Sequence, residues 1–198
     1  MPLNKHHKTI FMKIKNLILT LFFSCFIMLG FAQKKTKETK EAVIEWISIT
    51  EAFERNQTSY PKKKIFIDFY TDWCGWCKRM DQTTFSHPEI ARFMSTHFWN
   101  VKFDAETSDT IRIDNNIFTN PRPGVKRSTH QLAANMLNNR MSYPSYVFLN
   151  ESNNLITVVP GYYKPIDFEV IVKYMGLNEY LNMPFDQYKA LFMGSIKE

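Results

Sequence analysis

The first 32 residues of this chain contain no aspartate or glutamate. Four lysines lie there, namely Lys5, Lys8, Lys13 and Lys15. The whole chain has 25 Lys and Arg against 19 Asp and Glu, a net charge of +6, and without those four lysines the balance falls to +2. The positive charge therefore belongs mostly to the N-terminal segment. The small positive charge of the rest of the chain does not support the hypothesis of nucleic-acid binding, and we expect no nucleic-acid partner.

Long apolar runs are also scarce, and the most extended is Leu17–Phe31. It is shorter than the roughly 20 apolar residues that usually span a bilayer. Lys13 and Lys15 precede it, and it ends in Gly30-Phe31-Ala32, a small-x-small pattern. This order predicts a signal peptide over residues 1–32 and an exported, periplasmic protein. An uncleaved membrane anchor and lipidation of Cys25 remain as alternatives.

Cysteine is rare, with three residues in the chain, and Cys25 falls within the predicted signal peptide. The mature chain would keep Cys74 and Cys77, too few for a disulfide framework or a four-ligand zinc site. Two residues between the cysteines place both sulfurs within reach of one disulfide where the segment opens a helix. The helix dipole lowers the pKa of a thiolate there. The pair predicts redox chemistry, with a structural disulfide or a partial metal site as the alternatives.

The remaining pattern alternates strands and helices, and no internal repeat is present. Residues 33–41 are charged and read as a linker before a domain over 42–198. Strands are predicted at Val43–Ile49, Ile65–Tyr70, Phe98–Phe103, Tyr146–Leu149 and Leu155–Val159. Helices are predicted from Thr50, from Cys74, after a Ser86 cap, around Leu132, over Ile166–Gly176 and over Asp186–Phe192. This order indicates an α/β fold whose mixed sheet is covered on both faces, with an irregular insertion at 105–141 and a short C-terminal helical extension.

Three features beyond the cysteine pair carry a family resemblance. Asp68 stands six residues before Cys74, Trp73 directly precedes it, and Tyr143-Pro144 leads into a late strand. With these marks the chain resembles the thioredoxin-like superfamily. It is most similar to the exported branch that includes the C-terminal domain of the transmembrane disulfide reductase, on the residues Trp73–Lys78, Thr84-Phe85 and Pro88-Glu89. The resemblance implies a three-layer α/β/α sandwich with a mixed central sheet.

The resemblance also implies roles for the site residues. Cys74, nearer the helix start and expected to be the more exposed sulfur, would attack a substrate disulfide, and Cys77 would then release the product. A buried Asp68 with a raised pKa would relay the proton of Cys77. Substrate would be bound by Trp73, Trp76, Tyr143 and a cis Pro144. The alternatives are a solvent-facing Asp68, a trans Pro144 and tryptophans that only pack on the sheet.

The chain departs from the thioredoxin pattern in its Gly75-Trp76 dipeptide and in Gln82, which stands where thioredoxin has a proline. These differences leave the direction of electron flow open. We favour reduction of protein disulfides without a bound cofactor or metal, with an oxidase or isomerase and a non-catalytic binding module as alternatives. Expected partners are disulfide-containing proteins and a thiol–disulfide redox partner, a membrane reductase being one candidate. We expect a monomer.

The basic residues near the predicted site are expected to be solvated surface groups, namely Lys78, Arg122, Lys126 and Arg127. The insertion at 105–141 ends close to Pro144. We therefore expect it to flank the cysteine pair.

Overall fold

A computed structural model describes residues 42–197, so the predicted signal peptide and the whole predicted linker lie outside the described residues. The strands are Trp46–Ile47 (β1), Lys64–Tyr70 (β2), Phe98–Asp104 (β3), Ile111–Ile113 (β4), Asn116–Phe118 (β5), Ser145–Leu149 (β6) and Leu155–Pro160 (β7). The helices are Ile49–Thr58 (α1), Gly75–Met80 (α2), Pro88–His97 (α3), Gln131–Met136 (α4), Pro165–Gly176 (α5) and Phe185–Leu191 (α6). A π-helical segment at Asp81–Phe85 continues α2, and a 3₁₀ turn covers Glu179–Leu181.

Across residues 42–197, none of the helices has both the length and the apolar character needed to cross a membrane.

Strand β2 occupies the centre of the main sheet, whose order in the described residues is β1-β3-β2-β6-β7. It pairs in parallel with β3 and antiparallel with β6. Six of its seven residues are buried, because strands lie on both sides of it and helices cover both faces. The mixed α/β fold expected from the sequence is confirmed. After the carboxyl end of β2, the chain continues through a short turn to Cys74.

Two apolar clusters fill the space between the sheet and its helices. On one face, Phe66 packs against Phe85, Tyr146 and Phe148 at ring centroid distances of 5.9, 5.6 and 5.2 Å, under α3 and α5. On the other face, the neighbouring Ile65, Ile67 and Phe69 pack under α1 and α4. The alternation along β2 separates the two clusters, since successive strand side chains point to opposite faces.

Two predicted helix caps are wrong by one or two residues. The first helix is capped by Ser48, whose Oγ accepts a hydrogen bond from Glu51 N at 3.1 Å, so the preceding strand ends at Ile47 and not at Ile49. Helix α3 is capped by His87, whose Nδ1 accepts from Glu89 N at 3.3 Å. Ser86 donates instead to Gln82 O, which ends the π-helical segment. The capping residue in each case is decided by hydrogen-bond geometry, which residue type alone does not give.

The insertion contains secondary structure that the sequence did not predict. Strands β4 and β5 form a hairpin around Asp114-Asn115, with Asp114 in the left-handed region at φ 52°. Asp and Asn tolerate this conformation better than most residues, which suits a two-residue hairpin turn. Strands of three residues are too short for an alternation pattern to reveal. The predicted helix around Leu132 is confirmed as α4.

A buried carboxylate on α5 holds the C-terminal segment against the domain. Glu169 is 1% exposed and accepts hydrogen bonds from Ser195 N at 2.9 Å, Ser195 Oγ at 2.6 Å and Ile196 N at 3.1 Å. It also accepts from Lys173 Nζ at 2.6 Å. Burial alone would raise its pKa, but these donors lower the pKa to about 2.

Replacing this carboxylate is expected to destabilise the protein in a pH-dependent way. At pH 7, Glu169→Gln should reduce the free energy of unfolding by about 2 kcal/mol, since hydrogen bonds to a charged group contribute roughly that much. A carboxyl whose pKa is lowered by folding stabilises above its unfolded pKa of 4.5. The difference between variant and wild type should therefore shrink as the pH falls from 4.5 towards 2. Urea titrations at several pH values measure it.

Glu54→Gln provides the matched control, because Glu54 is exposed on α1. It should change the unfolding free energy little. Equal effects of the two substitutions at pH 7 would contradict the role assigned to Glu169.

Candidate active site

The turn after β2 places the two cysteines at the start of α2. Cys74 N donates to Thr71 O at 3.0 Å, and Cys74 is the residue that caps the helix. Its Sγ accepts a hydrogen bond from Cys77 N at 3.0 Å. Cys74 and Cys77 form a disulfide with their Cα atoms 5.3 Å apart. A backbone N–H aimed at Cys74 Sγ would stabilise a thiolate there once the disulfide is reduced.

The two sulfur-bearing side chains are almost equally buried, at 4% exposed for Cys74 and 3% for Cys77. In this disulfide form, Cys74 exceeds Cys77 in exposure only marginally, so the expected contrast between the two sulfurs is small. Cys74 Sγ lies against the first turn of α2, where it accepts the hydrogen bond from Cys77 N.

Asp68 lies in the interior of the sheet, so the solvent-facing alternative is wrong. It is 1% exposed and stands opposite Lys102 of β3 and Tyr146 of β6. Its face of β2 is that of Phe66, whose cluster also contains Met80 from α2. The carboxyl therefore points to the side of the sheet that the cysteine-bearing helix covers.

Burial raises the pKa of Asp68 to about 6, and the opposing attraction of Lys102 does not cancel the effect. Lys102 Nζ donates to Asp68 Oδ2 at 3.2 Å. Asp68 Oδ1 has no hydrogen-bond partner within the described part of the chain. An acid held in this way exchanges its proton near neutral pH, which suits a proton donor or acceptor.

Lys102 and Asp81 belong to the same charge cluster and were not predicted. Lys102 also donates to Asp81 Oδ1, at the first residue of the π-helical segment, and its ammonium lies 5.1 Å from the ring centroid of Trp46 and 5.2 Å from that of Tyr70. Burial opposes its charge, but the two carboxylates raise its pKa. The only sequence signal was a lysine inside the run Phe98–Phe103, which is apolar apart from Lys102 and Asn100.

Trp73 and the insertion form one side of the site. The indole of Trp73 is 56% exposed and packs edge-on against Tyr143 with ring centroids 6.1 Å apart. Its Nε1 donates to Glu106 Oε1 at 3.0 Å, and the Arg127 guanidinium lies 5.4 Å from its ring centroid. Glu106 and Arg127 both belong to the insertion at 105–141. The prediction that this insertion flanks the cysteine pair is therefore confirmed.

The buried side chain of Asn120 forms hydrogen bonds that connect separate parts of the insertion. Asn120 is 5% exposed, and its Nδ2 donates to the carbonyl oxygens of Glu106, Thr107 and Ser128 at 3.2, 3.1 and 2.8 Å. Its Oδ1 accepts from Ser128 Oγ at 2.5 Å. These bonds join the beginning and the end of the loop, so the groups that contact Trp73 rest on a closed hydrogen-bonded unit.

Trp76 and the segment before α5 form the other side. Trp76 is 62% exposed, and its ring lies 5.2 Å from that of Tyr162. The Tyr143–Pro144 peptide bond is cis, and Pro144 O accepts from Gly161 N at 2.8 Å. Of the four residues expected to bind substrate, the exposed Trp73 and Trp76 lie next to the cysteines in the chain, and Tyr143 contacts Trp73.

Within residues 42–197, His, Cys, Asp and Glu side chains form no cluster of three or more that would hold a metal ion.

Comparison with known proteins identifies the family. The model of the thioredoxin-like domain matches residues 54–176, which is more than half of the chain. The chain belongs to this family. The matched part includes the cysteine pair, Asp68, the insertion and the Tyr143–Pro144 bond.

Curated relatives are similar over shorter stretches. The thiol:disulfide interchange protein DsbD of Haemophilus ducreyi is 33% identical over 58 residues, which are 29% of this chain and 10% of that protein. The DsbD of Photorhabdus laumondii is 29% identical over 80 residues, 40% of this chain and 12% of that protein. The chain therefore spans about a tenth of the length of these relatives. The similarity to the disulfide-reductase branch expected from the sequence is found here too.

Solved structures agree on the fold. A DsbH oxidoreductase superposes with a TM-score of 0.51 at 21% identity, covering 72% of this chain and 91% of that one. A thioredoxin-fold protein from Helicobacter pylori gives a TM-score of 0.50 at 18% identity, covering 65% of this chain and 81% of that one.

Removing the cation next to Asp68 should raise its pKa further. In Lys102→Met, the buried carboxylate loses the positive charge that favours its ionised form, so its pKa should move above 6. The carboxyl carbon shift of Asp68, followed by NMR against pH in the disulfide form, measures this. Lys62→Met is the control, because Lys62 is exposed and lies before the opposite end of β2. An unchanged or lower pKa in Lys102→Met would contradict the proposed charge coupling.

Proposed function

We propose that this protein is an exported thiol–disulfide oxidoreductase that reduces protein disulfides through Cys74 and Cys77. The observation that carries the proposal is the Cys74–Cys77 disulfide at the start of α2, on the face of the sheet where Asp68 is buried with a pKa of about 6. Disulfide interchange is also named in the curated relatives.

The first step uses the reduced form. The Cys74 thiolate attacks one sulfur of the substrate disulfide, the substrate S–S bond breaks, and a mixed disulfide forms between Cys74 and substrate. The departing substrate sulfur leaves as a thiolate and takes a proton from solvent. The Cys77 N–H that points at Cys74 Sγ favours the attacking thiolate over the thiol.

The second step closes the protein disulfide. Asp68 accepts the Cys77 proton, and the Cys77 thiolate attacks Cys74 Sγ of the mixed disulfide. The second substrate sulfur leaves as a thiolate, so two electrons have passed from the protein dithiol to the substrate. A pKa of about 6 lets Asp68 accept this proton at neutral pH and return it when an external dithiol reduces the protein again.

Trp73, Trp76, Tyr143 and Pro144 are proposed to hold the substrate at the sulfurs. Both indoles are more than half exposed, and each belongs to a residue directly next to one of the two cysteines in the chain. An extended substrate segment would lie between them against the backbone at Tyr143, as strand-like peptides bind in other proteins.

Export is proposed from the charged and apolar pattern of residues 1–32. Mass analysis of the protein recovered from the producing cells tests it, with a mature chain starting at Gln33 as the expected result. Full-length protein retained in the cytoplasm would contradict export.

The cysteine substitutions have distinct expected outcomes. With dithiothreitol as the dithiol, wild type should catalyse reduction of insulin, and Cys74→Ser should lose this activity because no thiolate starts the exchange. Cys77→Ser should accumulate a mixed disulfide through Cys74, seen by mass spectrometry. Wild-type protein without turnover, equal to Cys74→Ser, would indicate a binding module instead of an enzyme.

The reduction potential of the Cys74–Cys77 couple decides the direction. We expect a value near that of thioredoxin, about −270 mV, from equilibration with glutathione or dithiothreitol buffers. A value near about −120 mV would identify an oxidant and contradict the proposed reductase.

A further inference from the structure

The side of the site formed by Trp76 borders a groove that the mechanism above does not use. Its volume is about 770 Å³, and it is lined by Gly75, Trp76, Arg79, Tyr162 and Lys164. Gly75 and Trp76 are the residues between the two cysteines, so the groove begins directly beside the disulfide. A Cβ added to Gly75 would meet no atom within 4 Å, so the space above the backbone is open there.

The π-helical segment fixes the far wall of this groove. Thr83 Oγ1 donates to Arg79 O at 2.8 Å, so the Tyr162 hydroxyl, 3.3 Å away, donates to Thr83 Oγ1. The next residue, Thr84, donates to Tyr163 O at 2.6 Å. Two consecutive threonines thus hold the segment before α5 in place. The groove is built before any substrate arrives, which limits the entropy lost on binding.

The charges around the groove have one sign. Arg79 lies one turn after Gly75 and Trp76 on the same helix face, and Lys164 caps α5 on the opposite wall. Both side chains are exposed, and neither forms an ion pair among the described residues. No acidic residue lines the groove. Asp167, the acid that follows Lys164 most closely, lines a separate cavity between β7 and α5.

From this arrangement we infer that Arg79 and Lys164 determine specificity, by binding an aspartate or glutamate that flanks the disulfide of a polypeptide substrate. The apolar part of the groove, Trp76 and Tyr162, packs against the backbone and side-chain stem of the acidic segment, and the two cations face its carboxylate. The inference rests on the proposed function, because it assigns a substrate class to the same site.

Single-turnover kinetics with matched peptides test this specificity. Three peptides with one internal disulfide each carry Glu, Gln or Lys beside a cysteine and are mixed with pre-reduced protein, so the protein dithiol supplies both electrons. We expect the Glu peptide to react about tenfold faster than the Lys peptide, and the Gln peptide to react at an intermediate rate. Two solvent-exposed ion pairs can produce a rate difference of this size. The ratio should shrink at about 0.5 M salt, where exposed charges are screened.

Charge reversal separates the groove from the net charge of the protein. In Arg79→Glu with Lys164→Glu, the order of the Glu and Lys peptides should invert. The control, Lys62→Glu with Lys189→Glu, makes the same change in net charge at exposed positions outside the groove and should keep the wild-type ratio. Equal rates for the three peptides in wild type, or the same ratio in both double variants, would overturn the inference while leaving the oxidoreductase activity standing. Faster reaction with glutathione disulfide than with the Glu peptide would also overturn it, in favour of a small anionic substrate.

Binding without chemistry provides a test that does not need turnover. A cysteine-free Glu peptide added to the disulfide form should shift the indole N–H resonance of Trp76, and the Lys peptide should not. If no peptide disulfide is reduced but this shift occurs, the proposed activity fails and the acidic-peptide groove stands. If neither peptide shifts Trp76, the groove assignment fails.

Discussion

Burial of the Asp68 carboxyl in the central strand is the constraint around which the rest of the site is arranged. A lone carboxylate in this position would be strongly disfavoured, because burial penalises its charged form. Parallel pairing of β2 with β3 sets Lys102 directly opposite, and the cation lies within hydrogen-bond distance. The remaining penalty appears as a pKa near 6 in place of the usual 3.8. The sheet register therefore tunes this acid towards neutral pH.

The π-helical segment connects the charge cluster to the substrate side. It follows α2 without a break and places Asp81 against Lys102, while Thr83 and Thr84 hold the segment before α5. Gln82 lies inside it, at the position where the thioredoxin pattern has a proline. Proline would remove a backbone donor from the helix. Here the helix keeps its backbone hydrogen bonding, and the wider turn carries side chains that a regular helix would direct elsewhere.

The sequence predicted the parts of the site that depend on local order. The cysteine spacing, the apolar strand before it and the offset of Asp68 all lie within the single segment Ile65–Cys77, so strand and helix periodicity suffices. Lys102 was not predicted, because its role depends on the register between β2 and β3. These strands are separated in sequence by α2 with its π-helical continuation and by α3. Glu106 and Arg127 were not predicted for a similar reason. The Asn120 hydrogen bonds that hold their part of the insertion near Trp73 join residues that are far apart in the sequence. The capping errors at Ser48 and His87 were choices between polar residues one or two positions apart.

The surroundings of Trp73 and of Trp76 differ in the charged groups that they contain. At Trp73 the indole N–H is already bonded to Glu106, and Arg127 faces the indole ring, so acid and base stand together on a closed loop. At Trp76 the neighbouring cations face an open groove with no acidic lining residue. A substrate lying across both tryptophans would meet balanced charge at one end and uncompensated positive charge at the other. Under the proposed function, the cysteines would react with any accessible disulfide, so this difference in charge is the feature that we infer to favour one substrate segment over another.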